Sequence, residues 1–156
     1  MLQRIQTVYL TLAALACAAM FILDVALVRN ATAQQQLIHV RLFNSDAVGN
    51  TWQAPSVFLV IPVLVVIIGL LLIYTALKYT NRKQQMMFCK IILLLTLVCL
   101  PFIYFLVESA IKAVSPAQQF YLYAAYMPIV ILLFTFFALR AIQRDDNLVR
   151  SADRLR

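Results

Sequence analysis

At 156 residues the chain is about one domain long, yet 64% of it is hydrophobic and only 12% is charged, with a mean hydropathy of +0.89. Soluble domains hold about 45–50% apolar and about 25% charged residues, so a water-soluble globule and a disordered chain are both excluded. An integral membrane protein remains, and its net charge of +7 reads as topology and contact with anionic headgroups. There is no basic domain with interleaved aromatics of the kind that binds nucleic acid.

Four apolar segments follow one another, at residues 5–28, 56–78, 88–112 and 117–141. Each is near the length of about 20 residues that a helix needs to cross about 30 Å of hydrocarbon. With no water in the bilayer core to satisfy the backbone, such segments must be helices, and none shows the alternation of a barrel strand. The expected fold class is therefore all-α, a single membrane domain built as a bundle of four transmembrane helices. In the first segment, Leu12 to Cys17 resembles the approach to a lipoprotein cysteine, but apolar sequence continues through Leu23 where a polar tether would be needed. Cys17, Cys89 and Cys99 read as buried thiols. Pro62, Pro101 and Pro128 fall inside spans and each removes one ladder hydrogen bond. The fourth segment has a start signal, with Ser115 as cap and Pro116 at the first helical position.

Ten of the 13 Lys and Arg residues fall on one side of these spans and three, Arg29, Arg41 and Lys112, on the other. The positive-inside rule then places both termini in the cytoplasm. Tyr9, Tyr74 and Tyr79 near inner ends, with Trp52, Tyr121 and Tyr123 near outer ends, form an aromatic belt. The only sizeable outer loop, residues 29–55, carries the β-prone stretch 37–43 and the turn formers Asn44, Ser45, Asp46, Gly49 and Asn50. This pattern predicts a β-hairpin on the outer side, with its return strand near residues 51–53.

Groups able to do chemistry are few. Asp24 and Glu108 are the acids within the spans, both about 11–12 Å past mid-membrane toward the outer side. An intramembrane carboxylate is a functional candidate. Against that, Glu108 precedes Lys112 by four residues, the favourable order for an ion pair on one helix face, and Asp24 lies within reach of interfacial water and Arg29. His39, the sole histidine, stands in the loop, so neither bis-histidine haem ligation nor a zinc triad nor a His-based catalytic triad can be built from this chain. No Gly-rich phosphate loop occurs, and no cofactor is expected. The aromatic faces around Phe102, Tyr104, Phe105, Phe134, Phe136 and Phe137 read as packing or lipid contact.

The tail, residues 142–156, is the most distinctive stretch. Leu148, Ala152 and Leu155 share one helical face, and the cations are all Arg, with Asp145, Asp146 and Asp153 among them. Arg forms planar bidentate pairs, which makes Arg150, Asp153, Arg154 and Arg156 candidates for docking to a partner; an amphipathic helix lying on headgroups is the competing reading. The opening Met1-Leu2-Gln3-Arg4-Ile5-Gln6-Thr7-Val8-Tyr9-Leu10 and this tail together resemble the Bacteroidota family called domain of unknown function 4293. The resemblance implies a small protein of a bacterial inner membrane, whose outer side is then periplasmic, and carries over no catalytic residue. Two functions stay open: a non-enzymatic accessory or scaffolding subunit of a larger membrane complex, partnered by lipid and by other subunits or its own copies, and a transporter or lipid-handling component using Asp24 and Glu108.

Overall fold

The computed structural model describes residues 2–30, 37–40, 42, 45–47, 59–78, 81–113 and 117–153. Helix α1 (Leu2–Ile22) is followed by strands β1 (Ala26–Asn30), β2 (Leu37–Val40) and β3 (Ser45–Ala47). Helices α2 (Val60–Leu77) and α3 (Arg82–Ala113) come next, then β4 (Ala117–Tyr121) and α4 (Tyr123–Asp153). All four helices are long and apolar enough to cross a membrane, so the chain is a multi-pass membrane protein. They form a ring in which α1 packs on α2 and α4, and α3 packs on α2 and α4.

The four buried stripes share one rhythm. In α1 it runs Gln6, Leu10, Ala13, Cys17, Met20; in α2, Ile61, Val65, Ile68, Leu72, Thr75. In α3 it runs Gln85, Cys89, Ile92, Thr96, Cys99, Ile103, Leu106, Ala110, and in α4, Ile131, Thr135, Ala138, Ile142, Asp145. Steps alternating four and three make a 3.5-residue period, slightly shorter than the helical 3.6, and helices carrying it wind round one another with a left-handed twist. Small residues let the axes come close: the Cys17 thiol donates to the Val65 carbonyl at 3.2 Å and lies beside Gly69. Leu15, Leu70, Leu94, Leu97, Phe105 and Leu133 are exposed on the outside of the ring, the faces that hydrocarbon would cover.

Several helix ends differ from those expected. The first helix stops at Ile22 rather than running to 28, because its 21 residues already span about 31 Å and the chain then turns into a sheet. The sheet is antiparallel with order β3-β2-β1-β4. Central strand β1 pairs with β4 from Ala26–Tyr121 to Asn30–Ala117, so residues 117–121 form a strand and the fourth helix begins at Tyr123, past the expected start at 117. Ser115 and Pro116 lie outside the described residues. The strand paired with β2 is β3, in the register Ile38–Ala47, His39–Asp46 and Val40–Ser45; the expected return strand at 51–53 lies outside the described residues. Helix α2 starts at Val60, not 56, which puts Pro62 in its first turn, where a backbone N–H would have no helical partner anyway.

Helix α3 begins at Arg82, ahead of the expected 88, and Asn81 explains why: its side-chain Oδ1 accepts from the Gln84 N–H at 3.4 Å and its carbonyl from the Gln85 N–H at 3.0 Å. Helix α4 continues without a break from the span to Asp153 in place of ending at 141. Lengths of 32 and 31 residues make α3 and α4 about 46–48 Å long, well over the hydrocarbon thickness. The up-and-down order puts the sheet at one end of the bundle and the chain termini at the other.

Candidate functional site

The acids singled out from sequence lie toward the sheet end. Asp24 is half-buried in the link between α1 and β1, beyond the last helical turn, and its carbonyl accepts from the Ala124 N–H at 3.4 Å. Glu108 lies in α3, where its Oε1 meets Lys112 Nζ at 3.0 Å. The side chains of Glu108 and Lys112 are 36% and 75% exposed, so this is an ion pair on the rim rather than a carboxyl aimed into the bundle. Close by, Tyr104, Tyr121 and Tyr126 line a cleft of about 230 Å³. Burial pushes the Tyr121 phenol above its ordinary value, with Tyr104, Glu108 and Tyr126 adding to the shift.

Of the four tail residues proposed for docking, Arg150 and Asp153 fall on the last turns of α4, while Arg154 and Arg156 lie outside the described residues. Among the described residues no group of three His, Cys, Asp or Glu side chains could hold a metal ion.

The polar centre that the structure does assemble is at the other end, and sequence reasoning passed over it. One polar residue from each buried stripe meets there: Gln6 of α1, Thr75 of α2, Gln85 of α3 and Asp145 of α4, all buried. Gln6 Nε2 donates to Asp145 Oδ2 at 2.6 Å and to the Ala141 carbonyl at 3.4 Å, joining first helix to last. Gln85 Nε2 donates to the Thr75 carbonyl at 3.0 Å, joining α3 to α2, and Thr75 Oγ1 donates back to Leu71 at 2.6 Å. Arg82 Nη1 donates to the Asp145 carbonyl at 3.2 Å and ties α3 to α4. Buried polar groups cost free energy unless bonded, and these satisfy one another across three helix pairs. By contrast Thr135 Oγ1, buried near the middle of α4, has no partner among the described residues. The signal for Asp145 was in the sequence: it continues the spacing of Ala138 and Ile142, and so belongs to the inward stripe despite standing among tail charges.

Beside this layer, between α1 and α4, lies an open groove of about 600 Å³. Its floor is aromatic, with the Tyr9 ring 5.9 Å from Phe137 and 6.5 Å from Phe134. Arg140 and Arg144 stand one helical turn apart along its wall, and the Arg140 guanidinium sits 5.2 Å from the centre of the Phe136 ring. Such an arrangement can receive an anion over an apolar base, and it offers no nucleophile with an adjacent general base.

No curated protein matches the chain. The family model described as domain of unknown function DUF4293 matches residues 2–155, and with nearly its whole length covered the chain belongs to that family.

Proposed function

We propose that this protein is a non-enzymatic accessory or scaffolding subunit of a larger complex in the inner membrane of Bacteroidota, with both termini in the cytoplasm. The observation that carries the reading is how the interior is filled. Four stripes of buried side chains occupy it, and its polar layer is closed by mutual hydrogen bonds rather than left open to a solute. A transporter using Asp24 and Glu108 finds less support, since Asp24 lies beyond the end of α1 and Glu108 is engaged on the rim with Lys112. The orientation is supported by the ten-to-three distribution of cations, because the richer side is the one from which α1 starts and toward which α4 runs out. Accessory function is further supported by the end of α4, which runs on from Asp145 to Asp153 past Arg82, the first residue of α3, and so offers about two helical turns where a soluble domain or another subunit can rest.

Affinity purification from membranes in a mild detergent, followed by mass spectrometry, tests the proposal. A membrane protein recovered in fixed stoichiometry is the expected result. Isolation of the chain alone, together with solute flux in proteoliposomes that is lost in Asp24→Asn or Glu108→Gln, would replace it with the transporter reading.

A further inference from the structure

The groove between α1 and α4 straddles a chemical boundary. Counting about 20 residues from Tyr123 places the edge of the hydrocarbon near Ile142, so Phe137 lies below it and Arg140 and Arg144 flank it. On the facing helix, Ile5 and Tyr9 are within about 20 residues of Ile22 and so also belong to the apolar side. The groove opens to the outside of the bundle, where Ile5 and Phe137 are exposed. A ligand matching it must be apolar where it meets Ile5, Tyr9 and Phe137, and anionic where it meets Arg140 and Arg144, two residues one turn apart on α4. Arg at the end of a membrane helix needs only to reach the headgroup layer to be satisfied, and for that no shaped floor is required. Here the floor is built from rings that pack on one another, and the Arg140 guanidinium is steadied by the Phe136 ring beside the groove.

We propose that this groove is a binding site for one anionic phospholipid of the leaflet nearest the chain termini. The phosphate is held by Arg140 and Arg144, with Asn147 and Gln143 at the headgroup level, and the upper part of one acyl chain lies on Tyr9 and Phe137. The site requires neither the orientation nor the subunit role proposed above, since it is defined by the groove alone. A guanidinium pair suits a phosphate diester through two parallel N–H donors from each side chain, and a net anionic lipid leaves no headgroup cation to be repelled by them.

The test is native mass spectrometry of the full chain, delipidated and then exposed to phosphatidylglycerol or phosphatidylcholine with the same acyl chains. One retained phosphatidylglycerol is expected, with phosphatidylcholine held at least about tenfold less well, a free-energy difference of about 1.4 kcal/mol. Arg140→Gln with Arg144→Gln should abolish that selectivity. Lys83→Gln with Lys90→Gln removes the same charge from exposed positions of α3 and should preserve it. Helix content by circular dichroism, unchanged in both double variants, establishes that each is folded. Equal losses in the two double variants would reduce the effect to diffuse charge and overturn the proposal. Equal retention of the two lipids would do the same, as would displacement of the lipid by millimolar inorganic phosphate, because a free anion would then suffice.

Discussion

Asp145 shows how much one side chain can decide in a bundle interior. It is 6% exposed, its carboxyl accepts from Gln6 at 2.6 Å and its backbone carbonyl accepts from Arg82 at 3.2 Å. Asp145→Ala leaves the Gln6 amide with only the long contact to the Ala141 carbonyl and should destabilise the bundle by about 1–3 kcal/mol, whereas Asp145→Asn keeps a carbonyl there and should cost less than half as much. Unfolding midpoints in mixed detergent and sodium dodecyl sulfate measure both; equal losses would mean that the Gln6 contact carries no weight. Gly69 gives a second, opposite case. A methyl group there would stand 3.3 Å from the Cys17 thiol, which is itself held by its bond to Val65, so the helix-forming advantage of Ala over Gly, about 1 kcal/mol, is opposed by crowding. Gly69→Ala should therefore be more favourable by about 1 kcal/mol in a Cys17→Ala background than in the natural chain, which a double-mutant cycle reads directly.

At the scale of elements, the sheet divides into protected and exposed parts. Strand β1 is bonded on both sides, by β2 and by β4, while among the described residues β3 has a neighbour on one side only and is three residues long. Hydrogen–deuterium exchange followed by mass spectrometry should find the amides of residues 26–30 the slowest of the sheet and those of 45–47 the fastest. Faster exchange in β1 than in β3 would contradict the observed strand order. The strands also mark where the sequence was legible. Hydropathy located four helices because lipid demands long apolar runs, and β propensity found β2. The same apolarity hid β1, since Ala26, Leu27 and Val28 suit a buried strand as well as a membrane helix and their partner in β4 is remote in the chain. The bundle-end polar layer was hidden for a related reason: Gln6, Gln85 and Asp145 stand near charged flanks, and only their place in a 3.5-residue repeat reveals that they face inward.

For the molecule as a whole, the sheet at one end and the extended last turns of α4 at the other give the bundle two unlike poles. Single cysteines introduced at positions 123 and 150, in a chain whose three native cysteines are replaced by Ala or Ser, test which pole faces which compartment. An impermeant maleimide applied to intact spheroplasts should label position 123 and leave position 150 untouched until the membrane is lysed. Position 123 is reachable in the folded chain because Tyr123 is exposed at the start of α4, next to the sheet. Labelling of position 150 in unbroken cells would invert the orientation inferred from charge.

The contact of α1 with α4 is the most extensive between any two of the described helices, and β1 is completed by β4, so α1 and the strand after it are finished by elements about 100 residues further along the chain. Until β4 arrives one edge of β1 lacks its partner, and until α4 packs the Gln6 amide lacks both of its acceptors. With only three of the helices packed, an amide is left unsatisfied inside the membrane, where such a group costs the most. Closing the ring is thus a long-range step, in which α1 gains its polar partners only when α4 has come alongside.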